Sequence, residues 1–353
     1  VDSMDFVGDA KTLTIEEAKD IAKDSSPDIY QYEASLEKAK EDYDKNKRSI
    51  KKAEKYYKNK EDTQDYKKNV TIPQKSNQFA YDTAERNLEA VTEKVNSDVE
   101  SAYYSLQQAL QLEEINKKNL AVAKDIHEKT QQKLELGLVA KQEVIKSELA
   151  LIEAQNQYEQ SKNTAKLAQM NINIQLGNDV MDSLKVSGEL TYTKTELGSI
   201  KEAVESGLVN RNEVLASKFS AEIENLNMEI TESSYPDMTY QYKTQKLITE
   251  KANKSYENTE KMIEMEIRKN YLDVQQKEKE ILAGQKQVEL AKEGLKLTQL
   301  SYDVGMAVLT DLQQTQNGLL QAELGLSKAI LDYNLAVMKY EDSIGIGTQA
   351  INM

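Results

Sequence analysis

Displaced by 168 residues, this chain meets itself: residues 99–177 align with 267–345 without a gap. Tyr103 falls on Tyr271, Ala123 on Ala291, Gly137 on Gly305, Ala154 on Ala322 and Gly177 on Gly345. Only 15 of the 79 positions are identical, but the glycines and the phase of the apolar residues coincide as well. A self-match at one fixed displacement marks a supersecondary unit used twice, and it restricts the fold to architectures in which such units pack on one another.

Each unit reads as a long helix, a turn and a second long helix. In the second copy Ile267, Val274, Ile281, Val288, Leu295 and Tyr302 recur every seven residues, a sustained coiled-coil seam. The first-copy seam is Val99, Leu106, Glu113, Leu120, His127 and Leu134. After the turn the heptads restart as Leu312, Leu319, Leu326, Tyr333 and Tyr340, matching Val144, Leu151, Tyr158, Ala165 and Ile172. A small residue follows three positions later (Thr315, Ala322, Ala329, Ala336, Ser343; Ser147, Ala154, Ser161, Ala168), so large and small side chains alternate and backbones can approach closely.

The interruptions are equally regular. Gly137 and Gly305 suit helix C-termini, and Glu143 and Asp311 fall in the first turn of the helix that follows. Ser25-Ser26-Pro27-Asp28 divides a short helix (15–23) from a long one (about 28–61). Polar linkers are expected around Pro73 and Pro236, the second after a helix over about 200–231, and the best strand candidate is 186–192. A helix from about 80 to 136 would run roughly 85 Å, too long for a compact globule. The expected organisation is a first repeat over 1–177, a connection over 178–199, a second repeat over 200–347 and a tail over 348–353.

Composition agrees. With 13 Gly and 3 Pro among 353 residues, the chain lacks the turn residues that sandwiches, barrels and α/β folds require. Charged residues make up 30% and the formal net charge is −14, which disfavours nucleic acid as a partner. No stretch approaches the ~18 apolar residues of a membrane-spanning helix. Absence of Cys removes thiol chemistry, and the excess of 19 Tyr over 3 Phe reads as compositional bias. The fold class is therefore all-α: an elongated, antiparallel coiled-coil tandem repeat with at most a very small β element near 184–193.

Order and spacing of these features resemble the TolC-like outer-membrane efflux family. Tyr302-Asp303-Val304-Gly305, Asp311-Leu312, Leu319, Ala322, Tyr333, Ala336 and Gly345 are similar to the family's Y-x-x-G…D-x-L…L-x-x-A…Y-x-x-A…G signature. Leu13 to Ala18 followed by Ser26-Pro27-Asp28-Ile29 resembles its N-terminal opening, and Ile200, Ala203 and Arg211-Asn212-Glu213-Val214 echo it in the second half. The resemblance covers almost the whole chain. It implies a homotrimer enclosing a tunnel, an adaptor protein and an inner-membrane pump as partners, and an extracytoplasmic place in the cell envelope. The opening Val1-Asp2-Ser3-Met4 lacks a signal-peptide layout, so a leader is expected to have been removed. The family adds two β-strands per half to a membrane barrel. Here the positions for them, 62–78 and 233–246, are too short for two spanning strands of ~9–11 residues each, which leaves a helical body without a barrel.

Nothing suggests an enzyme or a cofactor. His127 is the only histidine, so one chain cannot assemble a histidine metal cluster or a Ser-His-Asp triad. It sits at a seam position and reads as a polar break in register rather than a base. Gly345-Ile346-Gly347 follows a helix and is no phosphate loop. By the resemblance, the partner-binding positions are the hairpin tips: Gly137, Leu138, Val139 and Ala140, with Gly305, Met306, Ala307 and Val308. Ala140 and Val308 replace the hydroxyl residue frequent three positions after the glycine, making any docking more apolar. An enclosed channel would have an anionic wall that favours cations. The alternative function is an envelope stalk or scaffold that kept the fold and lost the conduit. A protein lying on lipid through its helix faces fits poorly, since the Ala-rich seams suit other helices.

Overall fold

The computed structural model describes residues 6–351; the opening 1–4 and the last two residues of the 348–353 tail lie outside the described residues. The order is β1 (Val7–Leu13), α1 (Ile15–Ser25), α2 (Pro27–Tyr56), α3 (Gln64–Tyr66), a π-helical turn (Lys67–Thr71), α4 (Ile72–Glu135), α5 (Lys141–Gln175), β2 (Asp182–Val186), α6 (Ile200–Asn210), α7 (Asn212–Ser234), α8 (Tyr240–Asp303) and α9 (Leu309–Ile344). The fold is all-α, with 82% of residues helical. No helix among the described residues is long and apolar enough to cross a membrane.

Local chemistry sets the helix starts. Glu17 N–H donates to Thr14 Oγ1 while Glu17 Oε2 accepts from Thr14 N–H, a reciprocal capping box that opens α1. Ser26 Oγ accepts from Ile29 N–H, and Pro27 occupies the first helical position, where its missing N–H costs nothing. The same tolerance corrects the expected linker at 62–78. Pro73 lies in the first turn of α4 and does not break it, so 64–78 is helical throughout and α4 begins eight residues earlier than the sequence pattern suggests. Around Pro236 only residues 235–239 separate α7 from α8. The strand expected at 186–192 shifts to Asp182–Val186, and its partner is an unanticipated N-terminal strand. β1 and β2 pair in parallel, with Lys11 opposite Leu184 and Leu13 opposite Val186.

Contacts gather the chain into two units, each drawing on both copies of the repeat. One comprises Val1–Asp24, Asp98–Thr195 and Asp273–Val337; the other comprises Ser25–Ser97, Glu196–Leu272 and Met338–Met353. In the first unit the seam residues Leu106, Val274, Ile281, Val288, Tyr302, Leu312 and Tyr333 are buried, as are the small residues Ala154, Ala322 and Ala336. On α5 the small side of the seam is the buried one: Ser147, Ala154 and Ser161 are covered, whereas Val144, Leu151 and Tyr158 are half-buried. Tyrosines tether the segment between β2 and α6. The Tyr103 hydroxyl lies 3.0 Å from the Leu13 carbonyl and 2.9 Å from that of Ser187, and Tyr333 Oη accepts from Thr195 N–H at 2.9 Å. Tyr192 packs edge-on against Tyr333; burial and the nearby Glu278 carboxylate push its phenol up to about 12, keeping it a neutral donor.

In the second unit Phe79 stacks on Phe219 with centroids 3.8 Å apart, and α6 lies so close to α8 that a Cβ at Gly207 would collide with Ile267. The buried Arg211 guanidinium, between α6 and α7, donates to Glu213 at 2.6 Å, Glu266 at 3.3 Å and the Ser343 carbonyl at 3.3 Å. Burial alone would raise Glu213, but hydrogen bonds from Arg211 and the backbone, with the attraction of the guanidinium, hold its carboxyl below the usual range. Removing Arg211 would leave Glu213 and Glu266, both partly exposed, without a charged hydrogen-bond donor, a loss of about 1.5–3 kcal/mol. Arg211→Met is therefore expected to lower the unfolding free energy extrapolated from urea titration by that order. Because the folded pKa of Glu213 is depressed, its contribution is present above the ordinary carboxylate pKa and fades as pH falls through the lowered value. In stability measured against pH, that acid-side loss should flatten in the variant.

Hairpin turns and an open interhelical groove

Both candidate tips lie in the first unit, and the same backbone device builds both. Gly137 and Gly305 adopt φ of 70° and 79°, the left-handed region that other residues avoid. In each turn the glycine N–H bonds back to the residue three before it, and the next N–H reaches the carbonyl one residue earlier still: Leu138 N to Lys133 O at 2.8 Å, Met306 N to Ser301 O at 2.7 Å. These are Schellman caps, which close the orphaned carbonyls of a long helix in two residues. Ala140 precedes α5 with no side-chain cap, as its lack of a hydroxyl requires.

The sequence-assigned tip residues divide into two sets. Leu138 and Met306 are 68% and 81% exposed, Val308 also faces outward, and the flanking Leu136 and Val304 join them. Val139 and Ala307 are half-buried, and Ala307 packs on a core of Ile126, Tyr302, Leu309 and Leu312. Tyr302 anchors this core to α4: its hydroxyl lies 3.0 Å from Thr130 Oγ1, and Lys133 both donates to its carbonyl at 2.7 Å and sits 3.6 Å from its ring centre. A rigid base thus carries an apolar rim.

His127 is half-buried on α4. Its Nε2 lies 2.8 Å from Gln131 Nε2, which can only donate, so Nδ1 carries the proton and donates to Ser147 Oγ at 2.9 Å; Ser147 in turn donates to the Val144 carbonyl. The ring bridges α4 to α5 with both nitrogens occupied. No cluster of three or more His, Cys, Asp or Glu residues suited to a metal occurs among the described residues.

A feature the sequence reading missed lies along the hairpin shafts. In the first copy, α9 fills the groove between α4 and α5. Gln316 Nε2 donates to Asn119 Oδ1 at 2.9 Å and Gln313 to the Lys146 carbonyl at 3.4 Å, and clefts of about 300 and 180 Å³ flank the packed helix. The equivalent groove between α8 and α9 is an open cleft of about 540 Å³. Its lining residues Glu280, Gly284, Gln287, Gly318, Ala322 and Gly325 correspond, at the 168-residue displacement, to Leu112, Asn116, Asn119, Ala150, Ala154 and Gln157 of the filled groove. Three glycines inside helices are costly, about 1 kcal/mol each against Ala, and a Cβ at Gly318 or Gly325 would meet nothing within 4 Å. The displacement also maps the α9 residues Gln313, Asn317 and Leu320 onto Ile145, Leu149 and Ile152 of α5, which are exposed.

No family model matches the sequence, and no curated protein matches it. Solved structures do match in fold. The outer membrane protein VceC of Vibrio cholerae superposes with a TM-score of 0.76 at 14% identity, over 95% of this chain and 97% of that one. The CmeC outer membrane channel of Campylobacter jejuni gives 0.72 at 14%, over 95% and 86%. The open-state MtrE outer membrane channel of Neisseria gonorrhoeae gives 0.71 at 13%, over 95% and 90%. The tandem helical hairpins are those of these channels, and the chain has the TolC-like fold.

Proposed function

We propose that this protein is a non-enzymatic, TolC-like component of an export system in the cell envelope, in which copies of the chain close into a helical tunnel or spacer. The observation that carries the reading is the open α8–α9 groove. Within one chain the first-copy groove is occupied by α9; its second-copy counterpart is open, and the α5 face equivalent to the occupying one is exposed. One chain therefore offers a knob and a hole that cannot be satisfied by each other and can be satisfied by neighbours. Such a heterologous contact closes into a ring when the rotation permits, and a homotrimer is the closure the resemblance implies. The fold-level match to outer membrane channels supports the conduit, and the acidic balance supports an anionic wall.

The tips Gly137, Leu138, Val139, Ala140, Gly305, Met306, Ala307 and Val308 serve in this reading as the docking end for an adaptor protein, behind which an inner-membrane pump supplies the energy. Their exposed apolar rim over a fixed core is the physical support. A second reading, an envelope stalk without a conduit, is favoured by one observation: the two segments where the family carries barrel strands are helical apart from residues 62–63 and 235–239.

Two experiments separate these. Light scattering on a sizing column should give three times the 40.0 kDa of one chain; a single-chain mass would favour the stalk. The double variant Gly318→Leu/Gly325→Leu fills the groove and improves helix propensity. Its expected signature is a raised thermal midpoint of the isolated chain together with loss of assembly. For the tips, Leu138→Glu with Met306→Glu should abolish adaptor capture in a pull-down against a co-expressed adaptor while helicity and thermal midpoint stay unchanged. Retained capture would remove the tip assignment.

A further inference from the structure

A number of lysines on these helices are paired with carboxylates three or four residues away: Lys117 and Lys118 with Glu114, Lys129 with Asp125, Lys162 with Glu159, Lys286 with Glu289, Lys328 with Asp332. One segment departs from this pattern. Residues 45–60 hold eight Lys or Arg against a single acid, Glu54, a net charge of +7 in a chain whose total is −14. All eight are exposed, and among the described residues none of them forms an ion pair. Along the last three turns of α2, Arg48, Lys51, Lys52 and Lys55 recur at three- and four-residue spacing, which puts them on one solvent-facing side.

The basic side ends in exposed aromatic and apolar residues. Tyr56, at the end of α2, is 76% exposed. Hydrogen bonds of the α2–α4 connection fix what lies beside it: Asn69 Nδ2 donates to Tyr57 Oη at 3.3 Å, Lys67 pairs with Glu229 of α7 at 2.8 Å, and Ser234 Oγ bonds Gln64. These contacts bring the end of α7 to the same place, and with it the 235–239 turn and the first residue of α8, where Met238 and Tyr240 are 77% and 79% exposed. Two acids of this end are spent on lysines, Glu229 on Lys67 and Glu222 on Lys75, while Glu61, Asp62 and Asp65 follow in the α2–α4 connection and Glu232 and Asp237 flank the end of α7.

We propose that this end of the second unit binds the surface of an anionic membrane peripherally, with the lysine-rich side of α2 against phosphate headgroups and Tyr56, Met238 and Tyr240 in the interfacial layer. Tyrosine suits that layer because its ring is apolar and its hydroxyl stays wet. Clustered Lys and Arg next to such a surface are attracted over a Debye length of about 8 Å at physiological salt. A free polyanion would use the same charges but has no use for an exposed methionine and two exposed tyrosines on small connections, so the lipid surface is the occupant the chemistry favours. The proposal is independent of ring closure, because it concerns only one end of one unit.

The test is co-sedimentation of the full chain with vesicles of phosphatidylcholine alone or with about a third phosphatidylglycerol, at low and physiological salt. Expected is binding to the anionic vesicles only, weakened by salt. It should fall at least roughly tenfold in Lys51→Glu/Lys52→Glu/Lys55→Glu and fall, with salt dependence retained, in Tyr56→Ser/Tyr240→Ser. All of these positions are exposed, and circular dichroism verifies that the fold is kept. Equal binding to neutral vesicles, no binding to either, undiminished binding by the lysine variant, or binding to polyphosphate without binding to vesicles would each overturn it.

Discussion

Side-by-side packing of long helices through a seven-residue seam is the constraint on which the rest of this protein depends. A 64-residue helix such as α4 or α8 has no reason to persist in water at its ordinary composition, because isolated helices draw little from propensity and most of their stability comes from a buried face. Here that face is narrow, one seam per helix pair, so each seam position has to be well filled. Ile267, Val274 and Ile281 are almost wholly covered, and on the facing helices the residue admitted is frequently Ala or Ser. Glu113 and His127 interrupt the first-copy seam where Ile281 and Leu295 continue the second. His127 is accommodated only because Gln131 and Ser147 satisfy both ring nitrogens.

Duplication then imposes a topological consequence. Two equivalent hairpins packed side by side share one junction, and each has one outward face left over. A compact protein would cover or polarise both faces. This chain keeps Ile145, Leu149 and Ile152 exposed on α5 and hollows the α8–α9 groove with Gly284, Gly318 and Gly325, giving up helix propensity to do so. Sequence divergence between the repeats, small residues on one and branched apolar residues on the other, is what a repeat acquires when its two ends must differ in order to join.

Periodicity and glycine made much of this legible in the sequence. The seams, both turns and the acidic first turns of α5 and α9 follow from heptads ending at Gly137 and Gly305, since a left-handed cap leaves few alternatives. Prolines misled, because Pro73 reads as a break and is tolerated in a first turn. The parallel β1–β2 pair was not visible: Val-Gly-Asp-Ala-Lys-Thr-Leu carries no alternation, and most of β1 is exposed, so its existence depends on Tyr103 and on tertiary position rather than on a local pattern. Tyrosine abundance looked like bias, yet Tyr103, Tyr333 and Tyr340 are buried anchors whose hydroxyls hold otherwise unstructured backbone. The open groove could have been found without coordinates. Comparing copies position by position sets Gly284 against Asn116, Gly318 against Ala150 and Gly325 against Gln157, three losses of side chain divided between α8 and α9.

Charge follows a different logic from packing, and the two divide the molecule's surface. With +7 confined to residues 45–60, the remainder carries −21. On the shafts that acidity is mostly interleaved with lysine at three- and four-residue spacing, an arrangement worth a few tenths of a kcal/mol per pair that serves solubility and adds little to stability. Where interleaving stops, the protein accepts the mutual repulsion of eight neighbouring cations on a helix end held by few buried residues. Repulsion of that kind is relieved by an opposing negative surface, since Glu222 and Glu229 of the second unit already face Lys75 and Lys67. The apolar tips and the basic end are thus chemically distinct, and in the readings proposed above their partners differ in kind: a protein surface for the first, a negatively charged one for the second.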